Sequence, residues 1–430
     1  MKLLKGSKSC NSHDSDSFQG SHLLPNGLEL DVKEAPWYTS WLKAQSTKIP
    51  SQTFNIFHAN HEHCTFQSHW DLFTRTFLCV AELAIQDSTI TIDGIIGNLL
   101  GEDILDSETL EENLNYARYF VFCLLAYQTM LYSPVLDLTF KTPQLCITED
   151  LGCCNYTHAS LTQDVANCAH EPISELLMGF GVLLPSRNLC LDDDQSIHHA
   201  FQQQTEVGAK TFNAYALHYI AGIKVKWTDA LSCHLEFNSA TKEMSLFRFP
   251  SFCQFSLANY DQGKGRGVLH ACATTSRLRC QWATETDINQ FLLEVLLSYR
   301  LLFGQTKKSR SLFRSMEPFL RTEQNTRDSL LFSLCGMRSL NMFLLDLLRD
   351  WNMVEKEKYY LPNDFPILRY RIVVLQRYLS ASGPRTWLQL WRDNRNSANW
   401  MTFWAVIIFG AFGSLMALLQ VILQSVQLFV

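Results

Sequence analysis

The C-terminal residues 401–419 read MTFWAVIIFGAFGSLMALL. No charged side chain follows Arg395, and about 20 apolar helical residues suffice to cross the hydrocarbon layer of a bilayer. The run therefore predicts a transmembrane helix, with residues 400–430 as a tail anchor inserted after synthesis and the lipid bilayer as its partner. The alternative is a core helix buried at the end of a soluble domain.

Aromatic and basic residues beside this run predict its orientation. Four tryptophans, which favour the headgroup level, cluster where the span begins: Trp387, Trp391, Trp400 and Trp404. Arg385, Arg392 and Arg395 lie on the N-terminal side, and no basic residue follows the span. Because basic flanks stay in the cytosol, we expect a single-pass protein with its large domain there. The endoplasmic reticulum is the expected membrane, and the mitochondrial outer membrane is the alternative.

Small and amide side chains recur within the tail at spacings of three and four residues. They are Gly410, Gly413, Ala417, Gln420, Gln424 and Gln427. This spacing places them on one helical face, where small residues allow close packing and glutamines hydrogen-bond to a partner. We expect this face to pack against another helix or a second copy of the chain. Alternatively the glutamines lie at the far headgroups, because a span of about 20 residues from Met401 ends near Gln420.

The composition limits the classes of partner and compartment. The 430 residues carry a net charge of −6, and this acidic balance argues against nucleic acid as a partner. The 14 cysteines include no CxxC pair, which favours buried thiols in a reducing cytosol over disulfides. Residues 1–35 lack an apolar run long enough for a signal peptide and are predicted to form a mobile arm.

Hydrophobic periodicity over residues 36–379 predicts one mainly helical cytosolic domain. Helices are expected over 69–85, 109–132, 172–180, 287–303, 327–350 and 365–379. Thr284 with Asp287 forms a capping-box pattern before one of them, and Thr109 with Glu112 before another. The uncharged run 119–136 is interpreted as a core helix, with membrane contact as the alternative.

Short β-rich runs at the centre of the chain predict strands. They cover 223–227, 235–237 and 244–249, and the polar NSATKE between the last two predicts a hairpin. Residues 380–399 are expected to be a linker and juxtamembrane segment. The predicted fold class is therefore α+β: a mainly helical cytosolic domain with a small antiparallel sheet, followed by one C-terminal transmembrane helix.

Candidate metal ligands lie close together in the segment FHANHEHC. They are His58, His61, His63 and Cys64. Imidazole and thiolate are the ligands that zinc prefers, so zinc is the cofactor this cluster would hold, and no other cofactor is predicted. The spacing matches no common zinc module, and a polar loop with surplus histidines is the alternative. A looser cluster of the same kind comprises Cys153, Cys154, His158, Cys168 and His170.

Two further patterns match ligand sites only in part. GKGRG at 263–267 lacks the G-x-x-x-x-G-K-[ST] frame of a phosphate loop, which favours a flexible basic loop. Asp192–Asp194 offer carboxylates to a magnesium ion, although adjacent acids more often form a solvated turn. The sequence contains no G-x-S-x-G and no H-E-x-x-H, so it assigns no catalytic residue.

Three segments carry a resemblance to a known family. They are GIKVKWTDALSCHLEF at 222–237, SLFRFPSFC at 245–253 and TWLQLWRDNRNSANWMTFW at 386–404. On these segments the chain is similar to an uncharacterised family of tail-anchored membrane proteins of filamentous fungi. The resemblance implies a fungal source and a single C-terminal anchor, and it implies no activity.

Two classes of function fit these observations. The first is a non-enzymatic protein, anchored in a membrane, whose cytosolic domain binds other proteins or organises a pathway there. The second is an accessory enzyme of fungal secondary metabolism that acts on an apolar substrate at the membrane. The anchor and the lack of a chemical motif favour the first class.

Overall fold

Helices dominate the structure, a computed structural model, and small sheets of two or three strands accompany them. The described residues are 35–57, 66–135, 145–147, 162–163, 168–185, 195–261, 266–278, 281–339, 355–382 and 397–429. The α+β, mainly helical fold class is confirmed. The predicted arm up to residue 34 and the linker residues 383–396 lie outside the described residues.

The α-helices of the described residues follow one another along the whole chain. In order they are α1 (Pro36–Ser46), α2 (Phe66–Gln86), α3 (Ile92–Gly101), α4 (Ser107–Thr129), α5 (Ile173–Gly179), α6 (Gln195–Gln203), α7 (Ala214–Tyr219), α8 (Pro250–Asp261), α9 (Val268–Ala271), α10 (Glu285–Tyr299), α11 (Lys307–Met316), α12 (Ser329–Gly336), α13 (Leu361–Asp364), α14 (Arg369–Ala381) and α15 (Ser397–Phe429). A π-helical turn (Arg300–Gly304) continues α10.

Two helices, α4 and α10, form the centre of the core. Every residue of α4 from Ala117 to Thr129 is buried, and so is nearly every residue of α10 from Ile288 to Tyr299. A helix that is apolar all round has no solvent face and belongs inside a protein. The structure therefore confirms the core helix predicted within 119–136. The uncharged run is explained by burial in the domain, without membrane contact.

Capping residues set where these two helices begin. Thr284 and Asp287 make the predicted capping box, in which the Thr284 side chain accepts from the Asp287 N–H and Asp287 accepts from the Thr284 N–H. The cap predicted for α4 is wrong, because Asp106 caps the helix and accepts the Glu108 N–H at 3.0 Å. Thr109 lies inside the first turn, and α4 ends at Thr129 instead of residue 132.

The central sheet contains the three predicted strands, but not all of them are antiparallel. The hairpin of β5 (Phe237–Asn238) and β6 (Glu243–Phe247) is antiparallel, as expected. The strand β4 (Lys224–Thr228) pairs with β6 in parallel, so the order is β4-β6-β5. The connection after β4 crosses over through a short 3₁₀ helix (Leu231–Cys233) before β5, and β6 then returns between the two.

Pairs of short strands join distant parts of the chain elsewhere. They are β1 (Leu145–Cys146) with β2 (Thr162–Gln163), β3 (Glu206–Gly208) with β9 (Lys358–Tyr360), and β7 (Thr274–Leu278) with β8 (Gln281–Ala283). All three pairs are antiparallel. The β3–β9 pair fixes the segment before α14 to the middle of the chain.

Aromatic residues of α1 join the two halves of the domain. The ring of Trp37 stacks on Phe249 at 4.4 Å, and the Tyr38 hydroxyl donates to the Tyr127 carbonyl at 2.8 Å. The Trp41 indole N–H donates to Asp229 at 2.9 Å. Tyr127 belongs to α4 and Phe249 follows β6. The helix α1 therefore packs against both the N-terminal helices and the central sheet, and all of them share one hydrophobic core.

Candidate functional site

The C-terminal helix α15 is long and apolar enough to cross a membrane. Its span, Trp404–Ser425, has 22 residues, about 33 Å at 1.5 Å per residue. This length matches the roughly 30 Å hydrocarbon layer of a bilayer. None of its most apolar stretch is buried against the rest of the described chain, which rules out a core helix in this structure.

Two serine hydroxyls within the span find acceptors inside the helix. The Ser414 hydroxyl donates to the Gly410 carbonyl at 2.9 Å, and the Ser425 hydroxyl donates to the Val421 carbonyl at 2.8 Å. Hydrocarbon offers no hydrogen-bonding group, so a spanning helix must satisfy such donors itself. These two serines therefore meet the requirement without a partner chain.

The predicted packing face lies on one continuous helix. Its six members are exposed: Gly410, Gly413, Ala417, Gln420, Gln424 and Gln427. Added Cβ atoms at Gly410 and Gly413 would meet nothing within 4 Å, so the helix backbone is open to a close neighbour there. Gln420 and Gln424 fall inside the apolar span and Gln427 beyond it. Association through this face stays a prediction.

The predicted zinc cluster lies outside the described residues. His58, His61, His63 and Cys64 all belong to the segment 58–65. The neighbouring His69 is described, and its ring stacks on Phe54 with centroids 4.8 Å apart. Among the residues that the structure describes, no group of three or more His, Cys, Asp or Glu side chains has the geometry for a metal ion.

The second predicted cluster is described only at its end. Of its members, Cys153, Cys154 and His158 lie outside the described residues, whereas Cys168 and His170 are described. The His170 Nδ1 atom is 3.0 Å from the Asp93 carboxylate. Asp93 also accepts two bonds of 2.7 Å from the Arg118 guanidinium. His170 therefore lies beside the Asp93–Arg118 ion pair.

The two remaining sequence candidates are only partly described. Asp192–Asp194 and most of the GKGRG loop lie outside the described residues. At the end of that loop Arg266 pairs with Glu285 at 2.9 Å. This arginine contacts the first turn of α10, where an acidic residue also favours the helix N-terminus.

A buried histidine and serine meet beneath the central sheet. His234 Nε2 is 2.6 Å from the Ser298 hydroxyl, and His234 Nδ1 accepts the Phe247 N–H at 3.3 Å. Since Nδ1 is an acceptor, the proton sits on Nε2 and His234 donates to Ser298. Ser298 in turn donates to the Val295 carbonyl at 2.7 Å.

This arrangement is the reverse of a catalytic pair. A nucleophilic serine gives its proton to the imidazole, whereas Ser298 accepts one from it. Burial, together with the Arg371 charge, lowers the pKa of His234 to about 3, so the ring is neutral. His234 and Ser298 therefore connect the sheet to α10 and supply no general base to an exposed substrate.

A second buried histidine also has a structural role. His270 Nε2 lies 2.7 Å from the Asn289 side-chain oxygen, and its ring stacks on Tyr260 with centroids 4.8 Å apart. Burial lowers the pKa of His270, while the Asn289 hydrogen bond acts in the opposite direction. The contact fastens the short helix α9 to α10.

One buried carboxylate caps two helices at once. Asp328 accepts the Ser251 N–H at 2.8 Å, the Ser251 hydroxyl at 2.6 Å and the Leu330 N–H at 2.9 Å. Ser251 lies in the first turn of α8, and Leu330 in the first turn of α12. Burial raises the pKa of Asp328 to about 6, and these hydrogen bonds oppose the rise.

The thiols near this carboxylate are not activated. Burial raises the pKa of Cys253 and of Cys335 well above the usual thiol value, and the Asp328 charge adds to the rise. A cysteine nucleophile needs a lowered pKa, because the thiolate is the reactive form. The cysteines whose side chains the structure describes are free and buried, as the sequence predicts: Cys79, Cys123, Cys168, Cys233, Cys253, Cys272 and Cys335.

A buried arginine holds the end of α12. The Arg300 guanidinium donates to the carbonyls of Leu334 at 2.7 Å and of Met337 and Arg338 at 2.9 Å. It also pairs with Glu355 at 2.5 Å. These bonds occupy carbonyls that a helix C-terminus leaves free.

Sequence reasoning missed all of these buried groups. His234 and Ser298 are 64 residues apart, and no spacing rule joins them. The available signal was the pair of polar residues Glu294 and Ser298 in the otherwise apolar run FLLEVLLSY, since buried polar groups need partners.

Comparisons with protein-family models, with curated proteins and with solved structures found no match for this chain. The resemblance to the fungal family therefore stays a prediction. Among the candidate sites, the exposed apolar helix α15 is the one whose length and composition suit a defined role, which is crossing a membrane.

Proposed function

We propose that this chain is a single-pass membrane protein whose helical domain is held at the cytosolic face of a bilayer by α15. Its work there is to bind other proteins or organise a pathway. The observation that carries the proposal is the exposed, charge-free span Trp404–Ser425 beside a domain with its own buried core. An apolar helix of this length in water would drive aggregation, and a bilayer removes that cost.

The orientation follows from the charges that flank the helix. Arg385, Arg392 and Arg395 precede the span and no basic residue follows it, which supports a cytosolic domain. The endoplasmic reticulum is the proposed membrane, and the mitochondrial outer membrane is the other candidate. Insertion of the tail after synthesis belongs to the same proposal.

A glycosylation assay tests the anchor and its direction together. The chain carries a sequon at Asn155-Tyr156-Thr157, and a second sequon is added after Val430. In microsomes we expect glycan on the added sequon and none on Asn155, because only the lumenal side is modified. Modification of Asn155 would overturn the orientation, and release of the protein by alkaline carbonate would overturn the anchor. Mitochondria incubated in parallel, with protease protection as the readout, distinguish the two membranes.

The proposed interaction role rests on the anchor and on the lack of a catalytic motif in the sequence, and the buried polar groups are accounted for by structural contacts. His234, Ser298, Asp328 and Arg300 each hold helices or strands together. The accessory enzyme of secondary metabolism stays a prediction. Its first test is whether full-length protein in membranes turns over apolar substrates, while affinity capture from the same membranes tests the interaction role.

A further inference from the structure

Exposed apolar side chains of the described domain are concentrated in one segment. Outside α15 the large ones are Leu320, Phe332, Met337 and Tyr360, and the first three are 51, 40 and 38% exposed. These three fall within residues 307–338, which contain seven basic and three acidic residues in a chain of net charge −6. This combination of exposed apolar and basic side chains makes the segment a candidate for an interaction surface.

The helix α11 separates an apolar side from a basic side. Leu312 and Phe313 are buried in the core, whereas Lys307 and Arg314 are exposed on the opposite side of the helix. The helix KKSRSLFRSM contains no acidic residue. Its exposed residues therefore include three basic side chains, Lys307, Lys308 and Arg314, and no acidic one.

The helices α11 and α12 contribute to one continuous surface. Arg314 Nη2 donates to the Gly336 carbonyl at 3.2 Å, which places this guanidinium beside Met337. The ring of Phe332 is 6.4 Å from the ring of Phe313. Basic and apolar side chains from the two helices thus lie next to each other.

Positive charges on this surface lie close enough to influence one another. Burial lowers the pKa of Arg310, and the charges of Arg300, Arg338 and Arg314 lower it further. Arg300 is neutralised by its pair with Glu355, whereas Arg314 and Arg338 are exposed to solvent. The surface is therefore suited to a partner with negative charges.

We infer that the basic face, formed by Lys307, Arg314, Phe332, Met337 and Arg338, docks on anionic headgroups of the membrane that holds α15. Anionic lipids attract basic segments, and apolar side chains between them enter the headgroup region. The amphipathic α11 presents both kinds of side chain.

The inference rests on the proposed function, because the anchor brings the basic face to the bilayer. Ser382 ends the described domain and Ser397 begins α15, so even an extended chain keeps them within about 50 Å. A tethered surface meets the membrane at a high effective concentration, and weak contacts then suffice. An acidic protein partner is the other occupant, and it lacks this advantage.

Hydrogen exchange of the full chain tests the inference. The protein is placed in nanodiscs of phosphatidylcholine alone or with about one-third phosphatidylserine. We expect amides of 307–316 and 329–338 to exchange at least about fivefold more slowly in the anionic discs. Equal rates in the two kinds of disc would overturn the inference.

Charge-reversal variants identify the residues responsible. Arg314→Glu with Arg338→Glu should remove the difference between the discs. The matched control, Arg75→Glu with Lys242→Glu, changes the net charge equally at exposed positions outside the basic face and should keep it. Met337→Ser should reduce the slowing in part, because it removes one apolar contact and no charge.

Two further arms separate the possible failures. Carbonate extraction of each variant reports on the anchor alone. Loss of insertion would count against the proposed function. If insertion is retained, the exchange rates decide whether the basic face contacts anionic lipid. Polyglutamate added to neutral discs reports on an acidic protein partner. Slowing by polyglutamate, without slowing by phosphatidylserine, would overturn the membrane assignment.

Discussion

Glu294 and Leu368 are joined by a 2.6 Å hydrogen bond from the Leu368 backbone N–H to the Glu294 carboxylate, across 74 residues of sequence. The same carboxylate accepts the Ile367 N–H at 3.0 and 3.1 Å. Because α14 begins at Arg369, a side chain of α10 caps its N-terminus, where a negative charge is favourable. The carboxylate of the fully buried Glu294 thus receives the hydrogen bonds that a buried charge requires.

Replacement of Glu294 should loosen the attachment of α14. Glu294→Ala leaves two backbone donors without this acceptor, which should lower the free energy of unfolding by about 3 kcal/mol. Glu294→Gln retains one acceptor oxygen and should cost about 1 kcal/mol. Urea unfolding of the full chain in detergent micelles measures both. Glu111→Ala, a helical glutamate that is exposed, is the control and should change little. An equal effect of Glu111→Ala would contradict the capping role.

The close contact of Gly304 with Arg300 predicts opposite effects for two Gly→Ala changes. A Cβ at Gly304 would overlap the Arg300 guanidinium and push it from its carbonyl partners. Gly304→Ala should therefore cost about 3 kcal/mol of stability. Gly97→Ala in α3 meets nothing within 4 Å and should stabilise by about 0.5–1 kcal/mol. A rise in melting temperature for both variants would contradict this prediction, because it would show that Arg300 can adopt another favourable conformation.

The raised pKa of Asp328 predicts how stability changes with pH. The pKa of about 6 in the folded state exceeds the usual aspartate pKa of 3.8, so the folded state binds more protons between these pH values. This contribution is present below about pH 4, is lost as the pH rises to about 6, and amounts to about 3 kcal/mol. The free energy of unfolding of the wild type minus that of Asp328→Asn should fall across this window.

The comparison with Asp328→Asn is needed because His234 acts in the opposite direction. Its pKa is lowered to about 3, so its contribution is lost as the pH falls below about 6.5. The two trends overlap in the wild type, whereas a difference between variants isolates one of them. A wild type and an Asp328→Asn variant with parallel pH curves would exclude the predicted linkage.

The direction of the His234–Ser298 hydrogen bond predicts stability effects without catalytic ones. Ser298→Ala removes the acceptor of a buried N–H and should cost about 2 kcal/mol. Because Ser298 already donates to Val295, a fluorophosphonate probe should not label it in the native protein. Mass spectrometry of probe-treated protein checks this, and Ser329→Ala, at an exposed position, is the control for stability. Labelling of Ser298 would instead favour the alternative function, an accessory enzyme.

The face of α15 predicts a matched pair of membrane phenotypes. Gly413→Leu fills the open surface at which close helix packing is expected and should weaken association. Ala411→Leu adds similar bulk about 160° away around the helix and should have little effect. A membrane two-hybrid assay compares them, with Gln420→Leu and Gln424→Leu as tests of the amide contacts. If Gly413→Leu and both glutamine variants associate as strongly as the wild type, the alternative is favoured, in which the glutamines lie at the far headgroups.

Local patterns were sufficient to predict the longest helices, α2, α4, α10 and α15, whereas α1, α3, α8 and α11 were not predicted. The cap at Thr284 and Asp287 lies within one turn, and the charge-free run before Gln420 has the length of a bilayer. Both depend on residues that are close in sequence, so composition and spacing contain the needed information.

The long-range pairings were beyond such patterns. The parallel pairing of β4 with β6 depends on the path that the chain takes between residues 228 and 243, and strand propensity is the same for either direction. The partners of Glu294 and His234 likewise come from elements 74 and 64 residues away. The sequence shows that Glu294 and His234 are polar, but it does not show which distant residues they contact.

The double cap at Asp328 has a mechanical consequence. The carboxylate holds the first turns of α8 and α12 together, so neither can slide without breaking a charged hydrogen bond. Since Phe332 lies on α12, a force applied at that surface is transmitted through Asp328 to α8. Phe249 lies immediately before α8, and its ring stacks on Trp37 of α1, so the contact continues to α1. We therefore expect a push on the basic face to be felt at α1, through Asp328, α8 and Phe249.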